Sequence, residues 1–194
     1  FCELSGAKYS IAVNSATSGL HAALVAAGVG PGDEVIQPAL TVIMNSLVTI
    51  ACGATPVFVD INPNTWNIDA ASISKKITPQ TKAIMAVSLF GLPLDIEPIM
   101  DLAKKHNLIV IDDSAETITG NHKGKFPGTH ADMAVYSFEN KKHMSSGSEG
   151  GMVITSNSDL AKKVRKFSGI GYKNLTASAG RTSLASSEFQ NPDY

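Results

Sequence analysis

Two hydrophobic rhythms alternate along the chain. Short unbroken apolar runs, such as Ala83-Ile84-Met85-Ala86-Val87, read as strands buried on both faces. Between them, apolar residues recur every three or four positions, the spacing of a helix with one buried stripe. The runs predict strands over 34–37, 56–60, 83–89, 108–112, 133–138 and 151–155. The stripes predict helices over 15–27, 41–52, 70–77, 96–106 and 158–167. Strict alternation of strand and helix implies right-handed crossovers, hence an α/β fold with a mostly parallel sheet and helices on both faces. Turn chemistry marks the joints. Gly30-Pro31-Gly32-Asp33 separates the first helix from the first strand, and Gly53 stops the second helix. Asp95 stands where the helix beginning at Ile96 wants an N-cap. The segment 168–194 is rich in Gly, Ser and Thr and shows little periodicity. It reads as a loop or the start of a second subdomain, after one main unit over 1–167.

The 194 residues, 43% hydrophobic and 17% charged, suit one globular domain or slightly more. A formal net charge of −1 argues against a nucleic-acid partner. Two isolated cysteines, Cys2 and Cys52, form no disulfide framework and fit thiols in a reducing cytosol, so the protein is expected to be cytoplasmic. No apolar run approaches the roughly 20 residues of a membrane span. The chain begins Phe1-Cys2-Glu3-Leu4, without Met, and reads as a piece of a longer one.

Open α/β sheets bind ligands where their strands end, so the segments after the strands carry the candidate chemistry. Asn14-Ser15-Ala16-Thr17-Ser18-Gly19 opens the first helix; it would either cap the helix or hold an anion such as a phosphate. Ile111-Asp112-Asp113-Ser114-Ala115-Glu116 ends a buried strand in two carboxylates. Alternation sends those two side chains to opposite faces, so at most one enters a shared pocket. There it could bind a metal, a ribose or a protonated heterocycle, or merely cap the next helix. Ser137-Phe138-Glu139-Asn140-Lys141-Lys142-His143 follows another strand. Its lysines are either a solvated basic turn or a source of a nucleophilic amine. Gly147-Ser148-Glu149-Gly150-Gly151 leads into a strand and permits close backbone approach. There is no G-x-x-x-x-G-K-[ST] loop, no H-E-x-x-H zinc pair and no G-x-S-x-G elbow. His21, in a helix rich in Ala and Leu, reads as a packing residue.

In their order and spacing these segments resemble the DegT/DnrJ/EryC1/StrS family of sugar aminotransferases, which use pyridoxal 5'-phosphate (PLP). The resemblance runs from Gly6 to about Tyr194. Asn14 to Leu24 is similar to the family's phosphate segment, and Asp112-Asp113-Ser114-Ala115-Glu116 resembles its E-D-A-A-[QH] motif. Ser137-Phe138-Glu139-Asn140-Lys141-Lys142 resembles its S-F-x-x-x-K motif. The resemblance implies the fold type I aminotransferase large domain. It implies Lys142 as the catalytic, Schiff-base lysine and Asp113 as the partner of the cofactor's ring nitrogen. Ala16, Thr17, Ser18 and Ser137 would hold the phosphate, and Glu116 would lie beside the ring oxygen. The implied reaction moves an amino group, with glutamate as donor, to a nucleotide-linked keto-sugar. The implied assembly is a homodimer with shared active sites, with a small C-terminal domain beyond residue 194.

Three departures from the family pattern stand out. Val42 takes the place of an aromatic side chain that stacks on the cofactor, just after Pro38-Ala39-Leu40-Thr41. Glu116 replaces Gln or His. The Gly147–Gly151 loop has one residue more than G-E-G-G, so counting back from Glu149 reaches His143. Family members with His at the lysine position are PLP-dependent dehydratases, which makes that the rival activity; a non-catalytic sugar-nucleotide binder is the other.

Overall fold

The structure is a computed structural model that describes residues 1–171. Seven strands build it: β1 (Tyr9–Val13), β2 (Glu34–Pro38), β3 (Thr55–Val59), β4 (Thr81–Val87), β5 (Ile109–Asp113), β6 (Met133–Ser137) and β7 (Gly151–Thr155). They form one sheet in the order β1-β7-β6-β5-β4-β2-β3. β7 pairs antiparallel with both β1 and β6, while β2, β3, β4, β5 and β6 pair parallel. The mostly parallel α/β sheet expected from the apolar runs is therefore present.

Among the described residues six helices accompany the strands: α1 (Cys2–Ser5), α2 (Ala16–Ala26), α3 (Met44–Ala51), α4 (Ala70–Ser74), α5 (Ile96–His106) and α6 (Ser158–Ser168). Alternate strand residues feed opposite faces. Val35, Ala83, Met85, Ile111 and Val135 pack with Leu20 and Leu24 of α2, Val48 of α3 and Val164 of α6. Ile36, Ile84, Ala86 and Val110 pack with Ile73 of α4 and Ile99 of α5. Gly19 lets α2 lie close on the sheet, because a Cβ there would meet Val135 Cγ1 at 2.9 Å. Side-chain caps start three helices: Ser15 for α2, Asp69 for α4 and Asn157 for α6.

The structure differs from the sequence expectation in several places. α1 and β1 were not predicted. β1 lies at the sheet edge with only Ile11 fully buried, so it lacks an unbroken apolar run. α3 starts at Met44, three residues beyond the expected Thr41, since residues 39–41 bend around the strand end. α4 ends at Ser74, where Lys76 N–H turns back to Ile73 O, and Thr78 is held out of the helical region by Pro79. β4 stops at Val87, and Leu89–Gly91 forms a short 3-10 turn. Asp95 occupies the N-cap position of α5 without capping it; its carboxylate pairs with Lys123 at 3.5 Å instead. His21 is half-buried, with its ring edge-on to Phe167 at 4.9 Å. α6 runs one residue past the expected boundary at 167, and residues 172–194 lie outside the described part. Among the described residues no helix is long and apolar enough to cross a membrane.

Candidate active site

The carboxyl ends of β2, β4, β5 and β6 point to one edge of the sheet. Because β7 is antiparallel, its first residue, Gly151, lies at the same edge, paired with Val13 at the end of β1. That pairing sets the N-terminus of α2 over this edge. A cleft of about 290 Å³ opens there, near the lower end of the roughly 300–1,000 Å³ usual for ligand pockets.

One end of the cleft is polar backbone. Ser15, Ala16 and Thr17 line it. Ser15 Oγ accepts from Ser18 N–H and Ser18 Oγ accepts from Ser15 N–H, each at 3.2 Å, closing a capping box. The N–H groups of Ala16 and Thr17 remain at the first turn, where the helix dipole is positive and anions bind. Ser18 itself is outside the cleft lining, and its hydroxyl bonds Asn14 Oδ1 and Ser15. Ser15 lines the cleft beside Thr17, while the Ser18 hydroxyl is turned to its own cap. Gly151 carries this arrangement, since an added Cβ would meet Ala16 N at 2.8 Å and Tyr136 O at 2.9 Å. Those neighbours are backbone and cannot rotate away. Gly151→Ala should therefore cost about 1–3 kcal/mol of stability and weaken phosphate binding at α2. Denaturant unfolding checks the first effect and titration with phosphate-bearing ligand the second; unchanged values in both would contradict this packing.

The floor of the cleft is acidic. Asp113 lines it, although its side chain is only 3% exposed. Burial pushes its carboxyl up to about 6, against the pull of the Ala115 N–H, the Asn45 amide and the Lys142 charge. Asp112 points to the other face, as alternation requires, and accepts from Ser88 Oγ at 3.0 Å. Burial pushes Asp112 up to about 7, with the Ser88 hydroxyl opposing. The folded chain then holds a proton that the unfolded chain, with an ordinary Asp, releases near pH 4. Stability from Asp112 is full below that pH and is lost as pH rises toward 7. Asp112→Asn should match the wild type at pH 4 and exceed it by about 2–4 kcal/mol at pH 8. Urea unfolding of cofactor-free protein at the two pH values tests this; an equal difference at both would refute it.

Lys142 closes the cleft from the loop after β6. Its Nζ lies 3.0 Å from Glu116 Oε1, while Glu116 Oε2 accepts the Phe90 N–H at 3.1 Å. Burial would raise the Glu116 pKa, but these two donors outweigh it and hold the carboxylate below its usual range. Glu116 therefore works as the resting counter-ion of Lys142. His143, the rival residue, is exposed and outside the cleft lining. Ser137, at the end of β6, lines the cleft and is 7% exposed. Val42 lines the rim and is 52% exposed, leaving one wall aliphatic.

Sequence reasoning missed several cleft residues. Leu20 and Leu89 supply apolar walls and look like ordinary core positions in sequence. Thr41 also lines the cleft, with a buried Oγ1 that has no hydrogen-bond partner. The P-x-x-T spacing was its only signal.

The sequence profile of the DegT/DnrJ/EryC1/StrS aminotransferase family matches residues 1–186. GDP-perosamine synthase of Caulobacter vibrioides is 48% identical over 171 residues, which is 88% of this chain and 46% of that protein. An aminotransferase of Psychrobacter cryohalolentis superposes with a TM-score of 0.83 at 41% identity, over 84% of this chain and 42% of that one. NtdA of Bacillus subtilis, solved with bound cofactor PMP, superposes with a TM-score of 0.81 at 36% identity, over 89% of this chain and 39% of that one. The chain spans about half the length of the curated relatives it matches. With a profile match over nearly its whole length, this chain belongs to the DegT/DnrJ/EryC1/StrS aminotransferase family.

Proposed function

We propose that the cleft binds PLP and that the protein is an aminotransferase, moving an amino group from glutamate to a nucleotide-linked keto-sugar. The observation that carries this reading is the sharing of one cleft by the Lys142 amine, the buried Asp113 carboxyl and the N-terminus of α2. An anion, a ring nitrogen and an aldehyde carbon, the three reactive ends of one small molecule, each find a complementary group. The buried, unpartnered Thr41 Oγ1 points the same way, because such a hydroxyl usually finds a partner.

The residues divide the work. The N–H groups of Ala16 and Thr17, with the hydroxyls of Thr17 and Ser137, would hold the phosphate, and Ser18 would support them through the cap. When bound, the cofactor supplies an electron-accepting ring on which amine and carbonyl exchange. Asp113, ionised beside the ring nitrogen, would keep that nitrogen protonated. Lys142, now paired with Glu116, would be the amine that holds the cofactor's aldehyde end and moves the proton at the substrate carbon. Glu116 would lie at the ring's edge, and Val42 would offer an aliphatic wall to the ring's face.

The nucleotide-sugar substrate rests on likeness to an enzyme named GDP-perosamine synthase. Residues 1–167 form the cofactor-binding unit in this reading, and 168–194 lead toward a further domain. Two free cysteines fit a cytoplasmic protein. The partner is a second copy of the chain: exposed Val42, Ile43, Leu47 and Ile50 run from the cleft rim along α3, and covering them would close the cleft. Sedimentation of the full-length protein should give a dimer; a monomer would remove that part.

The test is amine transfer. Full-length protein, PLP, glutamate and a nucleoside-diphosphate keto-sugar should yield 2-oxoglutarate and the amino-sugar in equal amounts. PLP binding with no transfer from any donor would overturn the activity while leaving the cofactor site standing.

A further inference from the structure

We propose that Asn45 is a positioning residue for Asp113, its amide held unpaired in the free protein so that it can orient the carboxylate against the cofactor's ring nitrogen. The inference rests on the PLP reading above and deepens it.

Asn45 occupies the first turn of α3 and is 0% exposed. Buried side-chain amides are ordinarily satisfied, and leaving one unpaired is unfavourable. Yet neither Nδ2 nor Oδ1 of Asn45 reaches a hydrogen-bond partner. A purely structural amide would show the bonds that justify its burial, and this one shows none. Its neighbours do show them. Gln37 Nε2 donates to Ser46 Oγ, and Thr49 Oγ1 donates to Asn45 O at 2.9 Å. These bonds fix the buried polar face of α3 and with it the place of Asn45.

Thr41, four residues before Asn45 in the bend that leads into α3, also keeps an unpaired buried hydroxyl and lines the cleft. The Asn45 side chain lowers the Asp113 pKa as a hydrogen-bonding neighbour, so the two groups lie side by side, yet the pair does not close to a full hydrogen bond in the free protein. Asp113 already uses Oδ1 to accept the Ala115 N–H at 3.2 Å. A second donor from Asn45 would fix the plane of the carboxylate and leave an oxygen for the ring nitrogen. Asn45 does not line the cleft itself, so it acts through Asp113 and not on substrate.

The test is a double-mutant cycle in the full-length protein, read as PLP affinity and as the melting temperature of the cofactor-free form. Asn45→Leu should weaken PLP binding about 10- to 100-fold. In an Asp113→Asn background the same change should alter affinity less than about twofold. The cofactor-free Asn45→Leu protein should melt no lower than wild type, because no closed hydrogen bond is lost. Asn45→Ser, which keeps a donor in a smaller side chain, serves if the leucine variant does not fold and should lose less affinity. Equal loss in both Asp113 backgrounds, or no loss at all, would overturn the inference. Failure of the wild type to bind PLP would instead overturn the reading beneath it.

Discussion

Lys142→Ala in the full-length protein should lower kcat for amine transfer by about 10⁴-fold or more, the scale seen when a covalent nucleophile is removed. Among the described residues no other amine lines the cleft. His143 is exposed and outside the lining, and an imidazole cannot form the same link. Lys141 is exposed as well. The fold should survive. Lys142 is about a quarter exposed and its one ion pair, with Glu116, is partly solvated, so its loss should change stability by no more than about 1 kcal/mol. Turnover loss with an unchanged melting temperature is the expected pair of results. Retained turnover above a hundredth of wild type would remove Lys142 from the reaction.

Asp113→Asn should act almost as strongly and in two opposite directions. Removing one member of a buried charge pair costs about 3–5 kcal/mol, equivalent to roughly 10²- to 10⁴-fold. The ring nitrogen would face a neutral amide, lose its proton, and the ring would accept electrons poorly. PLP affinity and kcat should both fall. The cofactor-free protein should become more stable, because the wild-type carboxyl is buried and pushed up to about 6. Its contribution to stability is present below an ordinary Asp pKa and lost as pH rises through about 6. Above that range the asparagine variant has no charge to bury. Loss of cofactor affinity together with a higher apo melting temperature at pH 8 would mark Asp113 as a functional charge held at a stability cost. A variant less stable at every pH would contradict it.

Much of this architecture is legible in sequence, and the parts that are not share a cause. Strands such as Thr81–Val87 are buried on both faces, so their composition alone announces them. α5 and α6 carry an apolar stripe against a charged face, and their bounds came out nearly as expected. β1 is an edge strand with one fully buried side chain, and no pattern marks it. In the site, Asp113 and Lys142 were readable because motif spacing and strand alternation point at them. Ser18 lies outside the cleft lining because a serine at the third helical position has two competing partners, an incoming anion and its own cap, and the cap holds it in this structure. Asn45 was invisible, and Thr41 marked only by the P-x-x-T spacing, because their meaning lies in a missing partner, which only packing reveals. The Lys142–Glu116 pair joins residues 26 positions apart from different strand ends, beyond any local pattern.

The most direct measurement is to add PLP to the full-length protein, fix the bound cofactor with borohydride, and map the modified peptide by mass spectrometry. A stoichiometric adduct on Lys142, absent from Lys142→Ala and weakened in Asp113→Asn, is the predicted result. An adduct on Lys141, or bound cofactor with no lysine adduct, would contradict the account.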